Sequence, residues 1–154
     1  MSGFIANGGT VEPFVLDNDG WFPDIDAEHL RAAVRMDGSI TNARLEVAAV
    51  AAMLSVNREL AAYKAAELAN GYAALADVPA VAIDGESERV HLYRRAVYCS
   101  AGAELAERYR SYDATAAGNQ RADDLTPSID EFRRDARWAI RDLLGVTHTT
   151  VELI

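Results

Sequence analysis

Residues 75–87, LADVPAVAIDGES, run directly into residues 88–112, ERVHLYRRAVYCSAGAELAERYRSY, and the change at Ser87 decides the fold. The first segment cannot be helical: Pro79 lacks the N–H a helix needs and biases Val78 to an extended conformation. Asp84-Gly85 signals a turn, and Ser87 is a good N-cap for a helix beginning at Glu88. The second segment, Glu88 to about Tyr112, holds no proline and a single glycine, Gly102. At 100° per residue Val90, Val97, Ala101, Leu105 and Tyr112 share one side, with Tyr93 and Tyr98 at its margins. Arg94 and Arg108 lie on that side too. Each needs a carboxylate partner, or must extend its head group to water.

Working back from this helix, Thr41 caps a helical run from Asn42 to about Asn70, closed by Asn70-Gly71. As one straight helix it would span about 43 Å. Leu45, Ala49, Ala52, Val56, Leu60 and Tyr63 form one stripe, while Val47, Val50, Leu54, Ala61 and Leu68 fall roughly opposite. An apolar residue on both sides means two partners: the chain's own bundle and a neighbouring subunit, which makes Val47, Val50 and Leu54 candidate subunit-interface residues. Upstream, Asp26 can cap a short helix, Ala27 to about Met36, with Leu30 and Val34 inward. Forward of the central helix, Thr126-Pro127 starts a last helix ended by Gly145. Its core stripe is Ile129, Phe132, Ala136, Ala139, Ile140, Leu143 and Leu144. Trp138 projects opposite that stripe, so it is either covered by the segment around Trp21 or placed in a subunit interface.

The reading is therefore mainly α: a bundle of one short and three longer helices over residues 21–145. Residues 1–20, with Gly3, Gly8, Gly9 and Gly20, form a flexible N-terminal arm, either disordered or ordered on a neighbour. The loop Asp113–Leu125 is polar and acidic. The tail Val146–Ile154 changes to a two-residue period, so it is a β-strand without a partner strand in its own chain. It is either a frayed end or a docking tail that adds to another protein's sheet, with Val146, Thr149, Thr150, Val151, Leu153 and Ile154 as its contact residues.

Charge and composition exclude several functions. The net charge of −9 is concentrated in the arm and loops; residues 1–37 carry seven acids against two arginines. A phosphate-gripping protein needs the opposite sign on its surface. The single cysteine, Cys99, rules out an intrachain disulfide framework and fits a reducing cytoplasm as the place of synthesis. No apolar run reaches the length of a membrane span. His29, His91 and His148 share no spacing, and no Gly-rich phosphate loop or nucleophile motif occurs, so no catalytic residue, metal or cofactor is assigned. Asp24-Ile-Asp26 is explained by a helix start, and Asp17-x-Asp19-Gly20 lacks the closing glutamate of a calcium loop. A cytoplasmic helical regulator or DNA-binding dimer is the rival class, and it calls for a basic recognition helix that is absent.

An ordered set of segments carries a resemblance. Phe22-Pro-Asp-Ile-Asp, Asp77-Val-Pro-Ala, Ile83-Asp-Gly-Glu-Ser, Arg95-Ala-Val, Glu107-Arg-Tyr-Arg, Ser128-Ile-Asp-Glu and Arg134-Asp-Ala-Arg-Trp-Ala occur in the order and spacing of one family. The chain from Phe22 onward resembles the head-completion (head-stabilisation) proteins of temperate phages with contractile tails. The resemblance implies a virion protein of the head–tail neck that binds the portal protein after DNA packaging, helps retain DNA and forms the tail-attachment site. It further implies copies of itself in a ring, expected to be twelvefold, with a tail-terminator or tail-completion protein below. Packaged DNA would pass by without specific binding, and Asp123 and Asp124 become candidate channel-facing residues. The docking tail would then have the portal as its target.

Overall fold

The computed structural model describes residues 14–34, 40–112 and 127–147. In chain order these residues form strand β1 (Val15–Leu16), strand β2 (Ile25–Asp26), helix α1 (Ala27–Ala33), helix α2 (Asn42–Glu59) and helix α3 (Ala61–Ala69). Next come a 3-10 turn (Leu75–Asp77), strands β3 (Ala82–Ile83) and β4 (Glu86–Ser87), and helices α4 (Glu88–Tyr112) and α5 (Pro127–Leu143). The fold is mainly α. The two sheets are antiparallel pairs, β1 with β2 and β3 with β4.

Helix α4 is the central element, packed most extensively against α5 and next against α2. Its predicted stripe is the core: Val90, Val97, Ala101 and Leu105 are buried, as are Tyr93 and Tyr98 at its margins, while the Tyr112 side chain lies outside the described set. The α2 stripe, Leu45, Ala49, Ala52, Val56 and Leu60, and the α5 stripe, Ala136, Ala139, Ile140 and Leu143, close on it. Leu144, counted in the α5 stripe, is exposed instead, because the helix has ended one residue earlier.

The helix starts obey the capping chemistry. Asp26 accepts from the His29 N–H at 2.9 Å, Thr41 Oγ1 from the Arg44 N–H at 3.4 Å, and Ser87 Oγ from the Arg89 N–H at 3.3 Å. Val78, before Pro79, is extended at φ −67°, ψ 127°. The Asp84-Gly85 turn has positive φ at both positions, 51° and 76°, the two-residue geometry that matches strand twist; the connector is therefore a small hairpin and not an irregular loop. At the end of α5, Gly145 (φ 66°) lets the Val146 N–H reach Arg141 O at 2.9 Å and its own N–H reach Asp142 O at 3.0 Å.

Two expectations are corrected. The helix expected over Asn42–Asn70 is two helices, so the described residues hold five rather than four. The break is at Leu60, with φ −92° and ψ 4°, although Leu60 N–H still bonds Val56 O and Lys64 N–H bonds Leu60 O. The bend keeps the core stripe in contact: Leu60 is fully buried, and Tyr63 and Lys64 lie against Trp21 and Asp19. The second correction concerns the arm expected over residues 1–20. Residues 1–13 lie outside the described set, but residues 14–20 pack on the bundle, with Leu16 buried in β1. The C-terminal strand is not observed: Val146 and Thr147 are not in a strand, and residues 148–154 lie outside the described residues.

Gly102 marks where α1, α4 and α5 converge. A Cβ built there would stand 3.2 Å from Val34 Cγ1 and 3.3 Å from the Phe132 ring. Gly102→Leu should therefore overpack this junction and cost roughly 1–3 kcal/mol. Thermal unfolding checks it; a variant as stable as wild type would mean the junction is loose.

Candidate functional site

The residues between β1 and β2 are seated by a closed polar ring. Asn57 Nδ2 donates to Asn18 Oδ1 (2.9 Å), Asn18 Nδ2 to the Tyr93 hydroxyl (2.8 Å), and that hydroxyl to Asn57 Oδ1 (2.6 Å). One side chain comes from the N-terminal segment, one from α2 and one from α4. The Tyr93 ring stacks on Phe22 with centroids 4.7 Å apart and 13° between planes, and Trp21 meets Phe22 edge-on at 4.8 Å. Burial pushes the Tyr93 hydroxyl well above its ordinary pKa, so it stays a proton donor.

Asp19 completes the seat. Its Oδ1 accepts from the N–H groups of Trp21 and Phe22, both at 3.0 Å, and its Oδ2 meets Lys64 Nζ at 2.6 Å. Partial burial alone would raise its pKa, but Lys64 and the two N–H groups outweigh it and hold the carboxyl below the usual range. Trp21 Nε1 donates to Tyr72 O (3.1 Å), and Trp21 O accepts from the Leu75 N–H (2.9 Å), which ties the α3–β3 connection to the same cluster. The Asp17–Gly20 stretch is thus a structural turn.

The β3–β4 hairpin is fixed to α4 by charge. Arg94 grips Glu86 with two nitrogens, NH2 to Oε1 at 2.8 Å and NH1 to Oε2, and His91 Nε2 lies 2.8 Å from Ile83 O. The Arg94 hydrogen bond is the main reason the Glu86 carboxyl is held below its ordinary value; burial opposes it, and the charges of Arg94 and His91 add to it. Arg108 pairs with Glu104 at 2.7 Å, so both stripe arginines have carboxylate partners.

The sequence-predicted site residues divide in two. Val47, Val50 and Leu54 are 56%, 40% and 60% exposed on the side of α2 away from the core. Trp138 is 39% exposed with the Arg134 guanidinium 4.7 Å from its ring centre, while Trp21 is buried beside Phe22 and Tyr63. Val146 is exposed. Thr149, Thr150, Val151, Leu153 and Ile154, and the loop acids Asp123 and Asp124, lie outside the described residues.

His29 bonds the Tyr98 hydroxyl (2.8 Å), His91 faces the β3–β4 hairpin, and burial raises the Cys99 thiol despite neighbouring Arg95. Among the described residues no three His, Cys, Asp or Glu side chains gather as a metal site, and no helix is long and apolar enough to cross a membrane. What the surface offers is contact: exposed apolar side chains on a rigid bundle.

The family model for the phage head completion protein (GPL) matches residues 16–154. The chain belongs to that family. It is also 43% identical over 140 residues to the "Head completion/stabilization protein" of Escherichia phage P2, across 91% of this chain and 83% of the relative. No solved structure matches. Membership makes the chain a structural component of a phage virion that interacts with other phage head or tail proteins.

The polar ring missed in the sequence can be tested by single-atom deletion. Tyr93→Phe keeps the stack on Phe22 but removes the partner of one Asn18 side-chain N–H, the other staying on Pro23 O, and of the Asn57 side-chain oxygen, and should cost about 1–3 kcal/mol. Combined with Asn57→Ala the loss should be less than the sum, because both break one network; chemical denaturation showing simple additivity would sever the link. Glu86→Gln tests the hairpin. A carboxyl whose folded pKa is depressed stabilises fully above its unfolded value and loses that contribution as pH falls through the folded one. The gap between wild type and Glu86→Gln should be open at pH 7 and close as pH drops below the ordinary value of 4.5. A gap constant down to pH 2 would contradict the pairing.

Proposed function

We propose that this protein joins the DNA-filled head as its completion factor, docks on the portal ring, assembles there into a ring, helps retain the DNA and presents the surface to which the tail attaches. The observation that carries this reading is the family match over residues 16–154 together with the P2 relative, itself a head completion and stabilisation protein. The rest of the molecule is compatible in kind. A structural joint needs a stable body with contacts at its periphery, and Val47, Val50, Leu54, Trp138 and Val146 are exposed around a packed core.

In this reading Val47, Val50, Leu54 and Trp138 contribute to lateral contacts. The tail from Val146, with Thr149, Thr150, Val151, Leu153 and Ile154, docks on the portal by adding a strand to its sheet. The ring adopts the portal's symmetry, twelvefold, and a tail-terminator or tail-completion protein binds below it. Asp123 and Asp124 face the channel, where like charge keeps the genome from sticking. The net charge of −9 is unfavourable for a regulator gripping DNA phosphates.

Deleting residues 148–154 tests the docking element. The truncated protein should keep the helical circular-dichroism signal and melting temperature of wild type. It should fail to co-purify with portal rings, and heads completed with it should lose DNA and not join tails. Wild-type portal affinity after truncation would place docking elsewhere. Neutralising Asp123 and Asp124 to Asn should leave folding intact and slow ejection or raise DNA sticking; unchanged ejection and DNA affinity would remove them from the channel.

A further inference from the structure

The exposed face of α5 and the outer face of the β1–β2 hairpin have complementary designs. On α5, Arg134, Arg137 and Trp138 fall at i, i+3 and i+4, so they share the surface turned away from the core stripe. All three are exposed, and Arg134 lies over the Trp138 ring. The result is a flat aromatic surface bordered by guanidinium groups. On the hairpin, Leu16 and Ile25 are buried, while Val15 and, just beyond the paired residues, Asp17 and Asp24 are exposed. Val15 is 47% exposed and the two aspartates are exposed beside it. One face is apolar with a cationic border, and the other is apolar with an anionic border.

Among the described residues no ion pair joins the two faces within one chain. Arg134 is held by its neighbour Asp135, and Asp24 accepts from the Asn18 N–H. Both faces sit on firm supports, α5 packed along α4 and the hairpin fixed by the Asn18–Asn57–Tyr93 ring. Rigid faces need little ordering on association, which favours a specific contact. We infer that the Arg134–Arg137–Trp138 face of one copy docks on the Val15–Asp17–Asp24 face of the next. The contact is head-to-tail, so every copy carries both halves, and repetition either closes a ring or runs on as a filament. The second copy is the occupant the charges select. Duplex DNA would meet a chain of net charge −9.

This inference rests on the ring proposed above and names the surfaces that form it. Charge exchange tests it on purified portal-bearing heads made without the protein, to which purified protein is added and bound copies per head are counted. Arg134→Glu with Arg137→Glu reverses one face; Asp17→Arg with Asp24→Arg reverses the other. Each two-site variant, folded by circular dichroism, should bind at least tenfold fewer copies than wild type. The four-site variant, and an equal mixture of the two reversed proteins, should recover binding, because each makes every contact complementary again. Wild-type loading by either two-site variant would overturn the inference and leave the ring reading standing. Wild type failing to load at all would sink the ring reading and the inference together. Binding of labelled duplex DNA that is lost on Arg134→Glu with Arg137→Glu, at unchanged loading on heads, would assign the α5 face to nucleic acid and overturn the inference.

Discussion

The hydrogen-bonded ring of Asn18, Asn57 and Tyr93 is the constraint on which the rest of the structure depends. Tyr93 is wholly buried on the central helix, and its hydroxyl could not be left without partners there. The two asparagines satisfy it and each other, and in doing so join three distant parts of the chain. Once Asn18 is fixed, Trp21 and Phe22 are placed against Tyr63 and Tyr93, and Asp19 reaches Lys64. The break at Leu60 falls just before the α3 residues that make those contacts, Tyr63 and Lys64. The same cluster holds the start of the connection to β3 through Trp21 and Leu75. A short polar motif thus sets the course of the first half of the fold.

Around this lock the molecule separates a stable body from its contact surfaces. Burial is concentrated along α4, where α2 and α5 close on either side. The large apolar residues left outside lie on the far side of α2, on α5 and at the start of the tail, and also on β1 (Val15), on α3 (Leu68) and at the β3–β4 hairpin (Val81, Ile83). The described ion pairs are mostly surface pairs that contribute little individually; the Glu86–Arg94 grip is bidentate and positions a hairpin. Such a body suits a joint between larger assemblies, in keeping with membership of the head completion family.

Much of the fold was legible because its signals are local. Asp26, Thr41 and Ser87 cap helices where a short side-chain acceptor precedes an apolar period, and Pro79 and Asp84-Gly85 break the chain as their backbones require. The bend at Leu60 was not legible: no glycine or proline marks it, and its cause is a contact with residues some forty positions earlier. The seating of residues 14–20 was hidden for the same reason. Their glycine and aspartates look like a loose arm, and only Asn57 and Tyr93, remote in sequence, give them partners. Trp138 was recognisable as out of place on its helix, and it is 39% exposed. The ordered segments from Phe22 to the last helix pointed to the family, which the match over residues 16–154 bears out.

The central claim is that this bundle is a fixed part of the finished head. The most direct measurement is quantitative mass spectrometry of purified DNA-filled heads and tailed particles from a wild-type infection, with the portal protein as internal reference. The chain should be present in both, in one constant ratio to the portal protein. Finding it only in the soluble lysate, with none above background in purified particles, would contradict the account.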